Sequence, residues 1–237
     1  MDTAAPVAVF FYSYCLFMKR VTVYVDGFNF YYALKRSKKS DRDWCKFYWI
    51  DFYRFFTQFL GEDQELQKVI YFTASPLNPE KSSRQSALLN ANILLNEEKF
   101  EIIRGKYYSK QLICPNCDFA IDKPEEKRTD VNLSVALIGD CALDNTDILI
   151  LVTADSDLVP PIEFIQKKYP NKKVKVYFPP NSFSHDLNSN ITKNKGKVVL
   201  LKNNKTKFFN SVMPDIVYSK DGNNSTCIPD KWKKNSL

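Results

Sequence analysis

Residues 148–157 read Ile148-Leu-Ile-Leu-Val-Thr-Ala-Asp-Ser-Asp157: an unbroken aliphatic run, then a hydroxyl, then two carboxylates one residue apart. A strand with one face in water alternates apolar and polar residues. A continuous apolar run is the mark of a strand covered on both faces, as in a parallel sheet. Upstream, Arg20-Val-Thr-Val-Tyr-Val-Asp26 has the same form and also ends at a carboxylate. Further strands are expected at 67–75, 100–104, 174–178 and 197–202. Helical spacing of apolar residues predicts helices over 28–36, 50–60, 79–96, 129–137 and 158–169, with Pro79, Pro160 and Pro161 in first turns. Strands alternating with helices predict one α/β domain with a mostly parallel central sheet.

Composition narrows the chemistry. The 237 residues carry 34 Lys and Arg against 27 Asp and Glu, a net charge of +7. The charge is uneven: residues 167–237 hold +11 and residues 1–166 hold −4. A basic flank beside an acidic body suits a polyanion whose chemistry uses acidic, cation-binding groups; a solvated lysine-rich tail is the plainer reading. His185 is the only histidine, which excludes any site needing two imidazoles. Neither G-x-x-x-x-G-K-[ST] nor G-x-G-x-x-G occurs, so the two commonest glycine-rich phosphate cradles are absent. An enzyme built from this chain works with carboxylates.

Six cysteines scattered over the chain lack the density of a disulfide scaffold, and a reducing cytoplasmic setting is expected. Cys114-Pro-Asn-Cys117 has the spacing of half a zinc site, but no second pair follows, so a metal-free turn is favoured. A zinc held there would have to be shared between chains of a homo-oligomer. Residues 4–18 are apolar but too short to span a membrane, and no basic stretch precedes them as in a signal peptide. Residues 1–18 are therefore expected to be an extension, with Met18 as the expected natural start. The domain is expected over 19–211, with a turn-rich insertion carrying the cysteine pair at 105–127. Residues 212–237 read as a polar, basic tail.

Ligands of open α/β sheets sit outside the carboxyl ends of the strands. Asp26 follows the first strand, and Asp155 and Asp157 follow the most apolar one, so parallel strands would bring them to one edge. Asp130, at a predicted helix start, could join them. Gathered carboxylates repel unless a cation neutralises them, and Mg²⁺ or Mn²⁺ is the hard, oxygen-seeking ion for such a set. Taken singly, each acid has an ordinary role as a turn residue, helix cap or surface charge; three sets at one edge are what suggests a site. Asn29, three residues after Asp26, is a candidate to orient water or phosphate, or a helix cap. Arg84, Lys127 and Arg128 are candidate phosphate partners or parts of a solvated face. Tyr107 and Tyr108 are candidates to stack unpaired bases, whereas Tyr31 and Tyr32 on the first helix suit core packing.

Val25-Asp-Gly-Phe-Asn29, Glu126-Lys-Arg-Thr-Asp-Val-Asn-Leu133 and Val152-Thr-Ala-Asp-Ser-Asp-Leu-Val-Pro160 resemble, in order and spacing, the three signature blocks of the NYN domain (LabA-like) family of the PIN-like nuclease superfamily. Tyr71-Phe-Thr-Ala, Arg84-Gln85, Gly105-Lys-Tyr-Tyr and Phe178-Pro-Pro180 agree, and the resemblance covers Lys19 to Ser211. It implies a Rossmann-like PIN-type three-layer fold and a metal-dependent endoribonuclease acting on single-stranded or looped RNA with Mg²⁺ or Mn²⁺. It maps the acidic cluster onto Asp26, Asp130, Asp155 and Asp157, and the family asparagine onto Asn29. The chain departs from the family at Ala136, where a further acid is usual, and at Ala154, where serine or glycine is. The lost carboxylate weakens a second metal site and keeps open a catalytically weak or inactive module that binds RNA or a protein. A phosphatase of the haloacid-dehalogenase type would need D-x-D after the first strand, and Gly27 and Phe28 follow Asp26 instead.

Overall fold

The computed structural model describes residues 18–113, 115–117 and 119–233. In chain order the strands are β1 Lys19–Asp26, β2 Gln64–Thr73, β3 Phe100–Arg104, β4 Lys106–Ile113, β5 Ala120–Lys127, β6 Ile148–Val152, β7 Lys173–Phe178, β8 Lys197–Leu200, β9 Ile216–Tyr218 and β10 Ser225–Cys227. The α-helices are α1 Gly27–Ser37, α2 Phe52–Thr57, α3 Pro79–Asn96, α4 Thr129–Ala142, α5 Val159–Lys168, α6 His185–Lys193, α7 Lys205–Phe209 and α8 Asp230–Lys233. Six strands form one all-parallel sheet in the order β3-β2-β1-β6-β7-β8.

The sheet separates two cores, as the unbroken apolar strands predict. In β1, Val21, Val23 and Val25 enter one core and Tyr24 the other, all with no exposed surface. The first core holds α1, α2 and α3 and is dominated by aromatic rings: Phe52 lies 5.0 Å from Tyr71, and Phe55 4.3 Å from Phe208. The second holds α4, α5 and α6 and is mostly aliphatic, with Leu133, Leu137, Ile162 and Ile191 among its members. Helix, sheet and helix layers make the expected three-layer α/β fold.

Three segments differ from their sequence reading. The insertion at 105–127 is an antiparallel ribbon, β4 paired with β5. Residues 185–193, predicted as no element, form α6, capped by Ser184 and buried through Leu187 and Ile191 alone. Residues 212–233, expected as part of a polar, basic tail, pack onto the domain: β9 and β10 pair, Val217 and Trp232 are buried, and Trp49 donates its indole N–H to the Pro214 carbonyl at 2.8 Å. A few large apolar side chains anchor a segment whose composition is otherwise that of a solvated chain. The expected extension falls, but for its last residue, outside the described residues, as does Cys114. Among the described residues no helix is long and apolar enough to cross a membrane.

Candidate functional site

Strand order reverses between β1 and β6, and in open parallel sheets this switch point is where a crevice opens beyond the carboxyl ends. Val25 pairs with Val152, so Asp26 and Thr153 leave the sheet side by side. The Thr153 hydroxyl donates to Asp26 Oδ2 at 2.9 Å and accepts the Asp155 N–H at 3.1 Å. One hydroxyl thus ties together the acids of both strands. Asp26 also caps α1, its Oδ1 accepting the Asn29 N–H at 3.0 Å. Gly27 is required next to it, because a Cβ there would collide with the Tyr71 ring and lie 2.7 Å from the Phe72 carbonyl oxygen.

Asp130 enters from the first turn of α4. Two residues earlier, at the N-cap position, Arg128 adopts a left-handed φ of 79° with no side-chain cap on the helix. A non-glycine residue held there costs on the order of 1 kcal/mol, and such strain tends to gather at functional sites. Carboxylate oxygens of Asp26, Asp130 and Asp155 lie within 4.8 Å of one another. Together with Phe28, Asn29, Arg128 and Thr129 they line an open recess of about 160 Å³.

Electrostatically the recess is strained toward protonation. Asp26 is only 4% exposed, and burial pushes its carboxyl above the usual range despite the Asn29 and Thr153 hydrogen bonds, with Asp155 adding to the push. Asp130 is raised by partial burial and then by three negative neighbours, Asp26, Asp155 and Asp157. Each group is easier to ionise beside a cation than alone. Three oxygen donors converging on one point are the donor set of a hard divalent ion, and these residues fit one.

Of the acids expected at this edge, Asp26, Asp130 and Asp155 converge. Asp157 is exposed at the rim, where its N–H bonds Asp155 Oδ1 at 3.0 Å. Asn29 lines the recess but is not a cap; its backbone serves the cap that Asp26 makes. Arg128 lines the recess, whereas Lys127 does not, being exposed at the end of β5. Arg84 lies 3.7 Å from Glu80 and faces a separate, larger pocket on the other side of Phe28. Ala136 packs with the aliphatic core. Cys117 is exposed, and it belongs to no three-residue ligand cluster among the described residues. Thr153 is not among the expected site residues, although its hydroxyl stands one residue past the end of β6 and two before Asp155.

A curated relative, 6-hydroxy-3-succinoylpyridine 3-monooxygenase HspA of Pseudomonas putida, is 24% identical over 207 residues, covering 73% of this chain. The match covers 64% of that relative, so the chain spans less than two thirds of its length. Among solved structures, a protein of unknown function from Vibrio parahaemolyticus is similar in fold, with a TM-score of 0.50 and 21% identity over 77% of this chain and 93% of that one. The NYN domain family model matches residues 20–193, from the start of β1 to the end of α6, and takes in every residue of the acidic recess. The chain belongs to the NYN domain family.

Proposed function

We propose that the protein is a metal-dependent endoribonuclease whose acidic recess hydrolyses phosphodiester bonds of single-stranded or looped RNA. The observation that carries this reading is the convergence of Asp26, Asp130 and Asp155 within 4.8 Å at the switch point of the sheet. Asp26 and Asp155, held in place by Thr153, would hold Mg²⁺ or Mn²⁺ directly or through water. Asp130 on α4 and Asp157 at the rim would hold further waters of the cation. A divalent ion bound there supplies a water of lowered pKa and neutralises charge at the leaving oxygen. Asn29 orients phosphate or water beside Asp26, and Arg128 offers guanidinium donors to a phosphate oxygen. His185 lies at the start of α6 and not among the recess residues, so the proton chemistry falls to carboxylates and water. The scattered cysteines suit a cytoplasmic enzyme.

A second reading, an RNA-binding module without useful catalysis, is favoured by Ala136, which leaves α4 without the second acid usual in the family. One experiment separates them: incubation of labelled, unstructured RNA with Mn²⁺ or Mg²⁺, with EDTA and a matched DNA as controls. Metal-dependent cutting that Asp26→Asn and Asp155→Asn both abolish supports the nuclease. Intact RNA across both metals, with salt-sensitive binding retained, overturns it in favour of the binding module.

A further inference from the structure

Phe28 has two sides. One faces the acidic recess; the other helps to line a pocket of about 380 Å³ that also takes in Tyr31, Tyr71, Tyr107 and Trp232. This pocket lies within the size range of small-ligand sites. Its walls come from α1, β2, α3, the β4–β5 ribbon and α8. From the geometry and chemistry of this pocket we infer that it is a base-binding subsite: it takes one unpaired nucleobase of the RNA strand whose phosphodiester lies at the acidic recess. This assignment rests on the reading of the recess as an RNA-cleaving site.

Three independent features point to a nucleotide. The walls are aromatic, with Phe28 stacked on Tyr32 at 6.3 Å and edge-on to Tyr107 at 5.9 Å, and ring faces of this kind hold flat, polarisable ligands. The charge is of one sign: Lys35, Lys81 and Arg84 line the pocket, and among the described residues no carboxylate does. A nucleotide, a flat base joined to an anionic phosphate, meets both requirements.

The third feature is Gln85. Its Nε2 donates to the Ala74 carbonyl at 3.3 Å and to Thr73 Oγ1 at 2.8 Å. A carbonyl can only accept, so the amide cannot be turned round, and Oε1 is left buried without a partner among the described residues. An unsatisfied buried acceptor is costly, and a ligand N–H would satisfy it. Every nucleobase carries an N–H on its pairing edge that can serve as this donor, and ribose 5-phosphate, whose hydroxyls also donate, is the comparison that separates base from sugar.

The test is equilibrium binding of AMP, CMP, GMP and UMP to the full chain in EDTA, read by calorimetry, with ribose 5-phosphate and nicotinate as comparison probes. At least one nucleotide should bind at least about tenfold more tightly than ribose 5-phosphate. Gln85→Met should weaken that nucleotide by about tenfold. Tyr107→Ala, on the ribbon and outside the sheet, should weaken it by about 5- to 100-fold. Asp155→Asn should bind nucleotide as the parent does while losing RNA cleavage. Four nucleotides no better than ribose 5-phosphate would overturn the subsite, as would parental affinity in both pocket variants. Binding of nicotinate alone would overturn it in favour of a small-molecule pocket. RNA cleavage that persists without nucleotide binding removes the subsite and leaves the nuclease standing. Nucleotide binding in a protein that cuts no RNA supports the base pocket and removes the nuclease.

Discussion

The two ends of the central sheet carry the same residue type in opposite circumstances. At the amino end, Asp147 precedes β6 and accepts from Arg20, whose guanidinium lies 2.8 Å away; Asp144 pairs with the same Arg20 and with the ammonium of Lys172. Lys172 has only 3% of its side chain exposed, yet both acids reach it. Hydrogen bonding to Arg20 holds the Asp147 carboxyl at about 2, and Lys172 then Arg20 lower that of Asp144. At the carboxyl end, the charges that reach Asp130 are all negative, and Asp26 and Asp130 are raised. Paired acids lend stability to the native state; gathered acids withdraw it until a cation binds. Burial first, and like-charged neighbours second, separate the raised acids of the recess from the exposed, cation-paired acids of the amino end.

The two ends should differ most in activity. Asp26→Asn or Asp155→Asn should lower RNA cleavage about a thousandfold or more, roughly 4 kcal/mol of barrier. Asp144→Asn and Asp147→Asn, at the opposite end, should leave the cleavage rate of the folded protein unchanged. A rate assay with circular dichroism as a folding control decides it; equal losses at both ends would dissolve the distinction.

Next in size is the response to metal. Mn²⁺ at 100 times its Kd should stabilise the protein by about 2.7 kcal/mol in urea titrations at neutral pH. Asp26→Asn should lose most of that gain. It should also be more stable than the parent when metal-free at pH 7. The sign follows from Asp26, whose native pKa is raised above its unfolded value near 4. The native state then holds more protons, so stability falls as pH rises through that window, and asparagine removes the loss.

Thr153→Val probes the hinge between the two strand ends. It keeps every ligand but removes the hydroxyl that orients Asp26 and accepts from Asp155. Metal affinity should fall about 10- to 100-fold, as when an outer partner of a metal ligand is lost. An unchanged affinity would show that backbone geometry alone places the acids.

The smallest effect is at the amino end. The Asp147 pKa is depressed, so its contribution is fully present above about pH 4 and fades as pH falls toward 2. The carboxylate is 34% exposed, and after solvent screening the contribution should be about 1 kcal/mol. Comparing the parent with Asp147→Asn at pH 7 and pH 2.5 should show a destabilised variant at the first and a nearly closed gap at the second.

How much of this was readable in the chain varied with the kind of interaction. β1 and β6 could be read because both their faces are buried, which forces an unbroken apolar run. Asp26 and Asp155 could be read because parallel strands deliver their ends to one edge. α6 was missed because Leu187 and Ile191 are its only buried side chains, too few to show a period. The packing of the segment after 212 was not legible because Val217 and Trp232 are buried amid polar neighbours. Composition averages over such isolated anchors.

The alternation of strands and helices, the parallel sheet and the acidic edge follow from local patterns, since periodicity and strand direction depend on residues close in sequence. Which of the acids converge, and that Asp157 stays at the rim, depended on how α4 and the turn after β6 dock against the sheet. The aromatic pocket was still less accessible to reading, because Tyr107 and Trp232 lie 125 positions apart and meet α1 and α3 only through the folded ribbon and the packed C-terminal turn. The sign of the pKa shifts came last of all. A carboxylate carries no mark of whether it will be buried among other acids or paired with an arginine in water until distant elements have been brought together.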